Sequence, residues 1–235
     1  MYARKTQSMS VAGAKAWWQA AKFGVFLHWT PSALPEARLP EFLTVEGRQR
    51  LPGLFHPRKF DADAWMRAVK QSGARYVVIT AKHVDGLAMF RSRCNAFNIV
   101  EATPFQRDTL RDVAQTCRRA GLRFGIYYTQ DHDQNDPGGA WYDGTDYASS
   151  PEEHAAFHQR KVLPQVRELL TQYGPVDVLW FDHPKNSTRA MSERLDRLVR
   201  RLQPKCVVGG RLTFGLGDFY SCGDCLLYTS PSPRD

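Results

Sequence analysis

The stretch Val176-Asp-Val-Leu-Trp-Phe-Asp182 follows Gly174-Pro175 and decides how the rest of the chain is read. Its apolar residues are β-branched, aromatic or leucine, and the run is too short for a helix. Bounded by a Gly-Pro break, it reads as a strand buried on both faces. It closes on a carboxylic acid, Asp182. An acid at that point either caps the next helix or stands where a buried strand opens into a site.

Working outward, the same unit recurs. Residues 151–173 read as a long helix that stops at Gly174-Pro175, and residues 188–202 as the helix that follows. Upstream, Arg123-Phe-Gly-Ile-Tyr-Tyr128 is a strand preceded by a helix over 108–120 that ends at Gly121. Arg75-Tyr-Val-Val-Ile-Thr80 is another, preceded by a helix over 61–72. Phe23-Gly-Val-Phe-Leu-His28 and Lys205-Cys-Val-Val-Gly209 complete the series. Apolar strands alternating with helices make a parallel sheet covered by helices. The unusual polar residues all follow strands, as they do at the carboxyl end of a (β/α)8 barrel. The alternative is a doubly wound sheet, which would want a glycine-rich phosphate loop after its first strand, and none is there. The fold class is therefore α/β, a TIM-like barrel of which five or six strand–helix units are present, against about eight in a closed one. Residues 1–221 read as a partial catalytic barrel domain. Residues 222–235, with Leu226-Leu-Tyr-Thr-Ser-Pro-Ser-Pro-Arg-Asp235, read as a non-homologous, disordered tail.

Composition excludes other classes. The net charge is +8, but the basic residues are spread along helices among acids, without a nucleic-acid-reading motif. No apolar run near the N-terminus is long enough for a signal peptide or a membrane span. Cytoplasmic location is the default expectation, with a secreted or periplasmic one open if the start is incomplete. Five cysteines are too few for a disulfide framework in a chain of 235 residues, and Cys222-Gly-Asp-Cys225 has no second pair to complete a zinc site. No cofactor or metal is expected, and the oligomeric state is not legible.

Five segments resemble, in order, the signature stretches of the α-L-fucosidase family (glycoside hydrolase family 29). They are Trp17-Trp-Gln-Ala-Ala-Lys-Phe-Gly-Val-Phe-Leu-His-Trp29, Phe60-Asp-Ala-Asp-Ala-Trp65, Ala74-Arg-Tyr-Val-Val-Ile-Thr-Ala-Lys-His-Val-Asp-Gly86, Gly121-Leu-Arg-Phe-Gly-Ile-Tyr-Tyr128 and the opening stretch. The resemblance implies a retaining exo-glycosidase that removes terminal α-L-fucose from glycans, with Asp182 as nucleophile. It implies His28 and His83 as ligands of fucose hydroxyls, and Trp180 as a ring lining the pocket or simply packing in the barrel. Trp29 ends the first of these stretches and is taken with the substrate-binding set. Arg211, beyond the next strand, would position the sugar or the nucleophile and keep a neighbouring carboxylate ionised. Tyr128, or its neighbour Tyr127 on the opposite face, would add a hydroxyl or ring.

Two positions depart from the family pattern. Val84 replaces the second histidine of a Lys-His-His-Asp-Gly stretch, and Gly223 stands where several members carry the acid/base glutamate. Retaining cleavage needs a second carboxyl about 5–5.5 Å from the nucleophile. Glu36, Glu41 and Glu46, in the long loop after the first strand, are candidates for contacting substrate. Two further functional readings stay open, a catalytically inert fucose-binding relative and a related retaining glycosidase.

Overall fold

Among the described residues five strands form one sheet: β1 (Gly24–Leu27), β2 (Tyr76–Lys82), β3 (Arg123–Thr129), β4 (Val178–Asp182) and β5 (Val207–Gly210). Neighbours are parallel throughout, and the order across the sheet is the order along the chain. A doubly wound sheet reverses its strand order at a switch point. A strictly sequential order is that of a barrel wall, so the barrel reading holds and its alternative falls. These observations come from a computed structural model that describes residues 11–141 and 149–221; Gly223, the Cys222–Cys225 pair and the tail expected over 222–235 lie outside the described residues.

The helices start where local chemistry allows. Helix α1 (Val11–Ala21), which the sequence reading did not anticipate, precedes β1, and the short α2 (Val45–Arg50) sits among 3-10 turns in the connection after β1. Helix α3 (Ala62–Gln71) is capped by Asp61, whose carboxylate accepts the Ala64 N–H at 2.9 Å. Helix α4 (Thr109–Ala120) is capped likewise by Asp108 and ends at Gly121, whose φ of +71° suits glycine. A capping box of Ser150 and Glu153 opens α5 (Pro151–Phe157), which passes through a π turn (His158–Val162) into α6 (Leu163–Gln172). Thr188 caps α7 (Arg189–Leu202). The single long helix expected over 151–173 is thus interrupted by one widened turn.

Strand alternation separates two cores. Val77, Ile79, Ala81, Phe124, Ile126, Tyr128, Leu179, Phe181 and Val208 face the helices. Val78, Tyr127 and Val178 lie on the opposite, inner face, with Tyr76, Trp180 and Phe219 packed against them. Trp18 of α1 stacks on Phe219 at 4.8 Å and packs on Tyr76 at 4.7 Å. Phe219 lies so close over Gly209 that a Cβ there would meet its ring at 2.4 Å. β5 is the last strand of the sheet, where an unpaired edge would be expected. Instead the chain returns along it, with Ser221 N–H donating to Gly210 O at 2.9 Å and Val208 N–H to Asp218 Oδ2 at 2.8 Å.

One charge cluster lies wholly inside. Lys82, at the end of β2, and Lys161 of the π turn meet Asp133 Oδ2 at 3.1 and 2.7 Å, and all three side chains are excluded from water. Lys82 Nζ also lies over the Tyr128 and Phe157 rings. Removing the only carboxylate of this trio strands two buried ammonium groups. Asp133→Ala is therefore expected to cost about 3–5 kcal/mol in urea unfolding; a loss below about 1 kcal/mol would mean that water reaches the lysines.

Candidate active site

Asp182 is the last residue of β4 and is only 7% exposed. Three groups from three segments converge on its carboxylate. Tyr127 of β3 donates its hydroxyl to Oδ2 at 2.6 Å, Arg211 beyond β5 donates Nη1 to Oδ1 at 2.5 Å, and the His183 N–H donates to Oδ1 at 2.8 Å. His183 Nε2 stands 3.4 Å from Oδ2. His183 holds φ at +50°, a conformation few non-glycine residues adopt, and so turns its N–H onto the carboxylate beside it. Burial alone would raise the carboxyl pKa; the Tyr127 hydroxyl, His183 and Arg211 outweigh it and hold Asp182 below the ordinary carboxylate range. The group is an anion at neutral pH, suited to attack an electrophilic carbon and unsuited to donate a proton.

Imidazoles line the approach. His28, just past β1 and exposed, stands edge-on to Tyr127 at 4.7 Å and to His83 at 5.3 Å. The Thr80 hydroxyl spends its proton on Leu27 O at 3.0 Å, so His28 Nδ1, 3.2 Å away, is the donor to Thr80 Oγ1. His83 lies flat on Tyr127 at 5.5 Å; burial lowers its pKa, with Asp85 opposing and His183 adding to the effect. His132 stacks on His183 at 4.6 Å and borders Trp141 at 5.2 Å. Phe26, 37% exposed, meets Trp180 edge-on at 4.9 Å and supplies an apolar floor.

Asp182, His28, His83, Trp180 and Arg211 are thus brought together as the sequence suggested. Tyr128 is not among them, and that expectation is corrected. Its hydroxyl donates to Gln165 Oε1 at 2.8 Å on the helix side, where burial holds its pKa far above the ordinary tyrosine value. Tyr127 takes the place. The register pairs Thr129 with Asp182, and two residues back from Thr129 the inward position falls on Tyr127. Trp29 also turns away: its ring stacks on Phe60 at 5.1 Å and meets Phe55 and Trp65, although the residue still borders a cleft of about 250 Å³ beside His28 and His83. His183 adjoins Asp182 in the chain but was not singled out as a site residue, and His132 and Trp141 were missed because only the fold stacks His132 on His183 and sets Trp141 beside His132. Glu36, Glu41 and Glu46 sit on the turns Pro35–Arg38 and Pro40–Phe42 and on α2, with no hydrogen bond or ion pair to the site among the described residues. One group among the described residues, Asp131 with His154 and His158, has the donors and spacing to hold a metal ion.

Comparison with known proteins places the chain in a family. A family model described as alpha-L-fucosidase matches residues 1–231. Plasma alpha-L-fucosidase of Rattus norvegicus is 31% identical over 191 residues, covering 71% of this chain and 39% of that protein. The plasma enzyme of Homo sapiens is 28% identical over 203 residues, covering 75% and 41%. The chain therefore spans well under half the length of these curated relatives. Unliganded alpha-L-fucosidase AlfC from Lactobacillus casei superimposes with a TM-score of 0.80 at 34% identity, covering 90% of this chain and 74% of that one. An aspartate-to-alanine AlfC mutant in complex with 4-nitrophenyl α-L-fucopyranoside gives 0.81 at 33%, with coverage of 90% and 73%.

The contacts around Asp182 make a titration test. In a carbon-13 NMR titration Tyr127→Phe is expected to raise the Asp182 pKa, while Tyr128→Phe leaves it in place. Because the folded pKa is depressed, the stability Asp182 contributes is present above the unfolded value of about 3.9 and is lost as pH falls through the folded one. An unchanged midpoint in Tyr127→Phe would refute the contact as the cause.

Proposed function

The chain belongs to the α-L-fucosidase family, and from that premise we propose that it hydrolyses terminal α-L-fucose from fucosylated glycans with retention, using Asp182 as nucleophile. The observation that carries this reading is the Asp182 carboxylate, kept ionised at the mouth of the barrel by Tyr127, His183 and Arg211. In the first step one Asp182 oxygen forms a bond to the anomeric carbon as the glycosidic bond breaks, and the departing oxygen takes a proton from a general acid. In the second step water gives a proton to the conjugate base of that acid as the water oxygen bonds to the anomeric carbon, and the ester bond breaks to return the Asp182 carboxylate. His28 and His83 stand on the side from which sugar hydroxyls would enter, and their ring nitrogens can exchange hydrogen bonds with a cis pair of hydroxyls. Phe26 and Trp180 offer apolar ring surface to the 6-deoxy carbon that distinguishes fucose from galactose. Val84 leaves that loop with one polar side chain fewer than the family pattern provides.

An aryl fucoside with a good leaving group tests the nucleophile apart from the acid, since 4-nitrophenolate departs without protonation. On this substrate Asp182→Ala is expected to lower kcat by ~10³-fold or more. Added azide should restore turnover and yield the β-fucosyl azide, because the small anion occupies the place of the lost carboxylate. Undiminished activity in Asp182→Ala would sink the assignment, and fucose binding without turnover in the unaltered chain would favour an inert relative.

A further inference from the structure

Beneath the loops that follow β3 and β4 lies a second polar cluster, which the proposed chemistry does not use. Asp131 comes from the first loop; His154 and His158, four residues apart, come from α5 and the start of the π turn. All three are buried, none more than 1% exposed. Asp131 Oδ2 accepts the N–H groups of Lys185, Asn186 and Ser187 at 2.7, 2.9 and 2.8 Å. Oδ1 accepts Ser187 Oγ at 2.8 Å and His158 Nε2 at 2.9 Å.

His154 does not fit a cluster held by hydrogen bonds alone. Its Nδ1 lies 2.8 Å from Gly138 O, and a carbonyl can only accept, so Nδ1 carries a proton. Its Nε2 stands 3.4 Å from Asp131 Oδ1, buried and without a hydrogen-bond partner. A neutral ring would aim the Nε2 lone pair at a carboxylate; a charged ring would bury an N–H without an aligned acceptor. Either arrangement is costly away from water. A cation seated between these atoms removes the conflict, and the three donor atoms already lie within 4.8 Å of one another.

We propose that Asp131 Oδ1, His154 Nε2 and His158 Nε2 bind a divalent first-row transition ion of the Zn²⁺ type. Two imidazoles and one carboxylate suit zinc and its neighbours, whereas calcium and magnesium want oxygen donors. On binding, the His158 proton moves from Nε2 to Nδ1, so the ring stays neutral. Ser187 and the three N–H groups remain on the carboxylate and fix its direction. The ion joins the loop after β3, helix α5 and the turn at residues 185–187, which starts three residues beyond Asp182. It is a structural site, and its existence does not depend on the fucosidase reading.

The test uses the full chain, stripped with a chelator and titrated with Zn²⁺. One ion per chain is expected, with a rise in melting temperature of about 5–10 °C at a hundredfold excess over Kd. His154→Ala should lose both effects, while His56→Ala, at an exposed histidine outside the cluster, keeps them. Anomalous diffraction at the zinc edge on the unaltered chain provides a reading that needs no variant, and the peak is expected between Asp131, His154 and His158. Absence of bound zinc, a peak at Asp182 and His183 instead, or full retention of the ion by His154→Ala would each overturn the proposal.

Discussion

The structure turns on the requirement that a nearly buried carboxylate, Asp182, remain charged. Burial works against the anion, and only donors placed on both oxygens reverse the balance. Two of those donors are distant in sequence, Tyr127 on β3 and Arg211 after β5, and the third is the His183 backbone N–H beside the acid. They meet because parallel strands in sequential order bring their carboxyl ends to one rim. The register that sets Tyr127 beside Trp180 and Thr129 beside Asp182 is thus an electrostatic requirement as much as a packing one. A slip of one residue would turn the tyrosine hydroxyl to the helix side and leave Oδ2 without its shortest hydrogen bond.

The loops that frame this carboxylate are anchored by charges under them. Lys82 and Lys161 hold Asp133, and Asp133 in turn packs against Gly86, where φ is +79° and a Cβ would meet Asp133 Oδ1 at 2.1 Å. Asp131 gathers three successive N–H groups at residues 185–187 and so fixes the turn that leaves Asp182. Two adjacent loops are therefore tied to the same buried polar layer. The left-handed His183 lies at the start of that fixed turn, where the surrounding structure supplies what its own backbone preference does not. Rigid support of this kind would hold Asp182, the proposed nucleophile, within the narrow geometry that attack requires.

Much of the fold was legible because parallel strands buried on both faces read as unbroken apolar runs. Helix starts expected at 61, 108 and 188 fall where Asp61, Asp108 and Thr188 cap the helices, and the glycine at 121 ends its helix as expected. The site was legible where one residue type sits at a strand end, as with Asp182, His28, His83 and Arg211. It was not legible where strand parity decides, since Tyr127 and Tyr128 are chemically alike and only the register tells them apart. Trp29 looked like a sugar-facing ring and instead packs on Phe60 and Trp65, because a large apolar ring gains more from the helix-side core. Helix α1 has low polarity contrast along its length, and the π turn is a local widening that residue periodicity does not report. The cluster of Asp131, His154 and His158 spans 27 residues and depends on how α5 lies across the loop, which no local pattern encodes.

The central claim is a covalent one, that Asp182 bonds to the anomeric carbon of fucose. The most direct measurement is to incubate the chain with 2-deoxy-2-fluoro-α-L-fucosyl fluoride, whose fluorine slows breakdown of the glycosyl ester, and to map the adduct by peptide mass spectrometry. The account requires one fluorofucosyl group per chain, on the peptide containing Asp182 and absent from Asp182→Ala. A label on a different carboxylate, or hydrolysis of fucosides by a chain that never acquires the label, would contradict it.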